Sequence, residues 1–277
     1  MSLSRYSEFR NEYDELLAHA INVLDAQAGY AVQSERENYG EKIFGKLICH
    51  AISLQRLMPN KNPTEYSQIW DVSSAYALSR AILESYEAFA YIATEKLSEA
   101  ELECRVLAWK LHAQERRLKM LTLIGSQSPD IKEVERSIRE LKDAVFSPFY
   151  APFISKENRG KIDKGDTPPY LTPRSKRLLA ARVNAEYFKV ALMHLSSHVH
   201  THPFSLDQLF EFKAATPEAY LLMQVGGQYA CGFLSAAVRD MSALFSPRIP
   251  AIPTRVQQTL ELCCETLEKQ SQALLIS

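Results

Sequence analysis

The sequence predicts an all-α protein, a multi-helix bundle of eight or nine helices with one long irregular mid-chain loop. Three observations predict it. Apolar residues recur at helical spacing through most of the chain. Helix-start patterns such as Ser98-Glu99-Ala100-Glu101 stand in front of several of those stretches. Glycine is scarce, at 9 of 277 residues, so few chain reversals can use a positive φ, and long helices suit that composition better than many short strands.

The elements follow in order. A first helix is expected over 5–29, with Phe9, Tyr13, Leu16, Leu17, Ala20 and Leu24 on one face. A second spans 35–58 and ends at Pro59 and Asn60-Lys61-Asn62-Pro63. A third runs over 65–96, apolar nearly all round and therefore central. The next runs from Ser98 to about Ile124 and stops at Gly125, and Ser128-Pro129-Asp130 opens a fifth, strongly charged helix to Val145. Residues 146–172, with Pro148, Pro152, Gly160, Gly165, Pro168 and Pro169, read as an irregular basic linker or loop. A long helix is expected over 173–199, a short one from Ser205 to Lys213, another from Thr216-Pro217-Glu218 to Phe245, and a last one over 254–275. The organisation is thus an N-terminal helical half at 1–145, the linker at 146–172 and a C-terminal half at 173–277, packed together as a single domain.

Composition bounds the function classes. The net charge of −1 gives no global field that recruits nucleic acid or an acidic membrane. One stretch departs from this balance: residues 156–182 hold eight Lys/Arg against three Asp/Glu, a local excess of five positive charges. The five cysteines are odd in number and form no CxxC, which points to a reducing, cytoplasmic setting and not to a disulfide framework. The N-terminal segment lacks an apolar signal region and no uninterrupted apolar run is long enough to span a bilayer, so no membrane association is expected. No phosphate-loop, dinucleotide or nucleophile-elbow motif is present, and no cofactor is expected.

Two clusters look out of place in a helical core. The first is Arg80, Glu84 and Glu87, spaced to share one helix face. A central helix must pair such charges, because an isolated buried charge is costly. The pair either only fixes helix register or forms the charged floor of a cavity in which Arg80 holds an anion. The second is His194-Leu195-Ser196-Ser197-His198-Val199-His200-Thr201-His202, four of the seven histidines within nine residues. His194 and His198, at i and i+4, could present two imidazoles to one metal, could cap the helix end, or could work as acid–base or anion-binding groups. No neighbouring carboxylate or cysteine completes a metal motif, so no metal ligand is assigned. Arg105 and His112 match a loose Arg-x(4–6)-His spacing. Arg174, Lys176 and Arg177 are candidate anion contacts in the basic stretch, and Gly226-Gly227 marks close helix packing.

Leu78-Ser79-Arg80-Ala81-Ile82-Leu83-Glu84, followed by Tyr187 and Ser196-Ser197-His198-Val199-His200, resembles a broad family of bacterial all-helical proteins in which an R-x-x-x-E helix pairs with a later Y…S-x-x-H helix end. In outline it is similar to HEPN-like domains, which include RNA-cleaving toxins and defence effectors. The likeness covers residues 70–205. Arg80 and Glu84 match the first motif; Tyr187, Ser197 and His200 match the second. The Arg–His motif of catalytic HEPN proteins is not cleanly present on the late helix. The resemblance implies an RNA-cleaving or anion-binding protein of bacterial stress or defence. Arg80, Glu84, His198 and His200 would be catalytic, and Glu87, Tyr187, His194, Ser197, Arg174, Lys176 and Arg177 would bind. The expected partner is RNA or another anionic ligand along 156–182, and a homodimer is a candidate assembly. The alternatives are a non-catalytic interaction or sensor module with a structural Arg80–Glu84 pair, and a histidine-based metal-binding protein.

Overall fold

The computed structural model describes residues 3–59, 70–211 and 213–269. They form α1 (Leu3–Asp25), α2 (Glu35–Leu57), α3 (Val72–Phe89), α4 (Glu99–Leu123), α5 (Asp130–Val145), α6 (Lys156–Asp163), α7 (Arg174–Ala180), α8 (Ala185–Val199), α9 (Pro203–Glu211), α10 (Pro217–Leu244) and α11 (Thr254–Glu268). A π-helical turn at Ala90–Thr94 and two 3-10 segments, Pro148–Phe153 and Ser246–Arg248, complete the order, with no strand among the described residues. The all-α class is therefore as expected. The helix count is not: among the described residues eleven α-helices replace eight or nine. The start of the expected third helix at 65–69 and the end of the last beyond 269 lie outside the described residues.

Two differences account for the extra helices. The loop expected at 146–172 contains the 3-10 turn Pro148–Phe153 and the helix α6, whose N-cap Ser155 accepts a hydrogen bond from Asn158 N at 3.2 Å. Its aromatic and aliphatic side chains order it: Tyr150, Ile154, Ile162 and Leu171 are all buried. The single helix expected over 173–199 is two, α7 and α8. Arg182 takes φ +56° between them. Val183 N donates to Leu178 O at 2.9 Å and Arg182 N to Leu179 O at 3.1 Å, the left-handed helix stop usually built on glycine. Val183 and Leu178, which this turn brings together, are both buried. Asn184 then caps α8 by accepting from Tyr187 N at 2.9 Å.

The chain divides into two compact units, Met1–Thr94 with Arg177–Ser277, and Glu95–Lys176. The boundary expected at 146–172 falls inside the second unit. In the first unit α3 is the central element, packed against α2, α8 and α10, while α10 also carries α1 and α11. Its core includes Tyr13, Phe44, Leu83, Phe89, Phe188 and Phe233. Gly226 and Gly227 make the α10 contacts possible. A Cβ on Gly226 would stand 2.6 Å from the Tyr76 ring, and one on Gly227 2.6 Å from the Phe9 ring. By length and composition α10 could cross a membrane, but 78% of its apolar window is buried within the protein, as befits a core helix. In the second unit α4 and α5 pack together over Cys104, Leu111, Val145 and Ile162. Ser98 caps α4 by accepting from Glu101 N at 3.2 Å, as its pattern predicts.

Among the described residues of the first unit, Arg177–Glu87 is a fully buried ion pair, and Arg80–Glu84 is not. Arg177 Nη2 lies 2.5 Å and Nε 3.1 Å from Glu87 Oε1, with the two side chains 6% and 3% exposed. Arg80 donates from Nε to Glu84 Oε1 at 3.1 Å, but those side chains are 23% and 46% exposed. The sequence places Arg177 among surface cations; the fold uses it to fasten α7 onto α3. Removing one partner of a buried pair strands the other charge in a dry site, whereas an exposed pair is screened by water. Arg177→Ala is therefore expected to lower unfolding free energy by ~3–5 kcal/mol in chemical denaturation. Arg80→Ala is expected to cost less than ~1 kcal/mol. Equal losses at the two positions would refute this assignment.

Candidate functional site

The site is organised by Tyr76, one helical turn before Arg80 on α3. Its hydroxyl donates to Leu222 O of α10 at 2.8 Å, and its ring lies in the space left by Gly226. Two imidazoles of α8 rest on the same ring, His198 at 4.1 Å and His194 at 5.2 Å between centroids. These contacts fix the register of α8 on α3. One turn further along α3, Arg80 Nη1 lies 3.3 Å from Nε2 of His200, the C-cap of α8, across 120 residues of sequence. Arg can only donate, so this contact is a hydrogen bond in the tautomer that leaves His200 Nε2 without a proton. Glu84 holds Nε of the same guanidinium. Arg80 Nη2 has no hydrogen-bond partner among the described residues, so one edge of the guanidinium is open.

His200 is exposed at the end of α8, where its backbone N–H donates to Ser196 O at 3.0 Å. The chain turns at Thr201, with φ +53°, and His202 N donates to Ser197 O at 3.0 Å. A β-branched residue rarely takes this conformation. It brings the His202 ring within 5.8 Å of His200.

His198 and His194 behave differently. His198 is buried, with Nε2 3.2 Å from Gln208 Oε1 of α9. Because that oxygen only accepts, His198 carries its proton on Nε2, and its Nδ1 is left without a partner. His194 is half-buried among Tyr76, Phe204 and Tyr229, and its Nε2 also lacks a partner. Burial lowers both imidazole pKa values. His194 falls to about 4, chiefly by desolvation and further by His198 beside it. His198 falls by desolvation, partly opposed by its bond to Gln208. The rings are thus uncharged packing pieces near neutral pH. Among the described residues no group of three His, Cys, Asp or Glu is placed to hold a metal ion.

The other expected site residues lie apart. Glu87 is buried under Arg177. Tyr187 sits at the start of α8, about 20 Å along the helix from His200, with its ring 6.0 Å from Tyr229. Burial raises its phenol well above the ordinary range. Ser197 Oγ donates back to Met193 O at 3.1 Å, and Ser196 to Leu192 O. Arg174 and Lys176 are exposed, but they belong to the second unit. The basic stretch 156–182 is not one continuous patch: Arg177 is buried, Arg182 pairs with Asp240, Lys161 pairs with Glu157, and Arg159 lies over the Phe146 ring. The Arg105-to-His112 spacing is consumed structurally within the second unit. Arg105 is buried against Glu95 and Glu101, and His112 Nδ1 donates to Thr167 O at 2.6 Å. Tyr76 and Gln208 were not singled out in the sequence. Tyr76 could have been, since it precedes Arg80 by four residues and so shares its helix face.

The depressed His194 pKa gives the first unit an acid-sensitive seam. The folded pKa of about 4 lies below the ordinary 6.5, so between these values the unfolded chain binds a proton that the folded chain does not. The stabilisation is complete above about pH 6.5 and is lost as pH falls toward 4. His194→Phe, which keeps a ring against Tyr76, removes this share. Its melting temperature should fall less than the wild type's between those pH values. Parallel pH profiles for the two proteins would contradict the buried, neutral imidazole.

No family model matches the chain, nor does any of the curated proteins or solved structures compared with it.

Proposed function

We propose that the open face formed by Arg80, Glu84 and His200 binds a phosphodiester and cleaves RNA, the reading that the HEPN-like resemblance also suggests. The observation that carries it is the 3.3 Å contact of Arg80 Nη1 with His200 Nε2 at the surface of α3 and α8. A permanent cation stands beside a basic imidazole nitrogen, and the cation keeps an open donor edge.

The chemistry follows from the two groups. A phosphate oxygen accepts from the open Arg80 edge, drawing the guanidinium off His200 Nε2 while Glu84 retains its Nε. His200 Nε2 takes the proton of the ribose 2′-hydroxyl, whose oxygen attacks phosphorus. The P–O5′ bond breaks, and the departing 5′-oxygen is protonated from solvent. Arg80 stabilises the charge that builds on the non-bridging oxygens. The products are a 2′,3′-cyclic phosphate and a free 5′-hydroxyl. His198 has no direct part in this scheme; sealed against Tyr76 and bonded to Gln208, it positions the end of α8.

The test is cleavage of a single-stranded RNA oligonucleotide in the presence of a chelator, with products analysed for the cyclic phosphate. His200→Ala should lower the rate about 10²–10⁴-fold, the range for a general base. Arg80→Ala should lower it about 10²–10³-fold, as for loss of a charge-stabilising donor. Both variants should melt close to the wild type. Absence of cleavage by the wild type, or a His200→Ala rate within about twofold of it, would exclude the catalytic assignment.

A further inference from the structure

We infer that Cys231 of α10 and Cys263 of α11 form an oxidisable thiol pair, a site that a hydroperoxide converts into a disulfide joining the two helices. The sulfurs lie 3.7 Å apart although the residues are 32 positions apart in sequence. Both belong to the first unit. Leu267 of α11 also packs beside Gly232, the neighbour of Cys231, so α10 and α11 are in contact at this level. A bond at ~2.04 Å needs the two sulfurs, already in contact, to close by roughly 1.7 Å.

The two thiols differ in a way that assigns their roles. Cys263 is half-buried and Cys231 is 4% exposed, so an oxidant reaches Cys263 first. With Cys231 as the donor of the shared hydrogen bond, the Cys263 pKa is lowered against the effect of burial, and that of Cys231 is raised, burial adding to it. Glu12 of α1 is the charged group that bears on both, and it raises the pKa of each. A partly exposed thiol of lowered pKa is the reactive kind, whereas a fully buried one is inert until a partner is activated. Of the three remaining cysteines, Cys264 is buried with its pKa raised to about 11, chiefly by burial, Cys104 is buried in the second unit, and Cys49 is exposed on α2.

The reaction has two steps. The Cys263 thiolate attacks a peroxide oxygen, the O–O bond breaks, hydroxide leaves, and Cys263 becomes a sulfenic acid. Cys231, losing its proton to that hydroxide, attacks the Cys263 sulfur; the S–O bond breaks and the oxygen leaves as a second hydroxide, which solvent protonates. The peroxide is reduced by two electrons and the two thiols are oxidised together. The product ties the last described helix to the core helix and restricts the unfolded chain.

The experiment treats the full chain with hydrogen peroxide, then maps thiols and cross-links by peptide mass spectrometry. In the wild type, a species lacking two hydrogens should map to the peptides holding Cys231 and Cys263. It should melt at a higher temperature than the reduced protein and return to it with dithiothreitol. In Cys231→Ser the reaction should stop at the sulfenic acid, so that dimedone labels Cys263 strongly, while it labels Cys263 weakly in the wild type. If Cys231→Ser does not fold, the wild-type cross-link map decides alone. A bond mapped to Cys263–Cys264, dimers linked through Cys49, or oxidation confined to Cys49 would each overturn the inference.

Discussion

The first unit depends on how one aromatic side chain is held. Tyr76 belongs to the central helix α3, donates its hydroxyl to α10, occupies the space that Gly226 leaves vacant, and offers its ring to His194 and His198 of α8. Three helices are thereby set in one register by one residue. The hydroxyl has to find an acceptor because a buried phenol without one is costly, and the Leu222 carbonyl supplies it. The glycine is equally required, since any Cβ at 226 would overlap the ring. The Arg80–His200 contact one turn further on follows from that register.

Two Arg–carboxylate pairs on the same stretch of α3 have opposite consequences. Glu87 and Arg177 are sealed together and hold α7 in place, a matter of structure. Arg80 and Glu84 remain open to water, and the pair adds little to stability. Its openness suits binding, because a guanidinium already committed in a dry core has no donor left for a ligand. The charged residue that matters for the fold is therefore the one that reads from sequence as a surface cation. The one that reads as a central charge is available at the surface.

Much of the helical plan was legible because it rests on local signals. α1, α2, α4, α5 and α10 follow their apolar periodicity, and Ser98 and Thr216 cap as their positions suggest. The break between α7 and α8 was not legible, because the left-handed stop is made by Arg182, with no glycine to mark it. The same holds at Thr201, which shapes the end of α8. The 146–172 stretch was misread because its prolines and glycines signal irregularity, whereas its ordering comes from Tyr150, Ile154 and Ile162 packing within the second unit. In the site, Arg80, Glu84 and His200 were visible as unusual residues. Which of His198 and His200 would meet Arg80 depends on a contact across 120 residues, and no local pattern encodes it. Tyr187 was grouped with the site by motif likeness and Glu87 by its spacing on the Arg80 face, but tertiary burial separates them from it.

The central claim is that Arg80 and His200 act as one unit because the Tyr76 register brings them together. A double-mutant cycle on affinity for a short single-stranded RNA tests this most directly, comparing wild type, Arg80→Ala, His200→Ala and the double variant. If the residues share one phosphate, the losses will not add, and the coupling energy will be about 0.5–3 kcal/mol. Additive losses, or affinity unchanged in all three variants, would contradict the account.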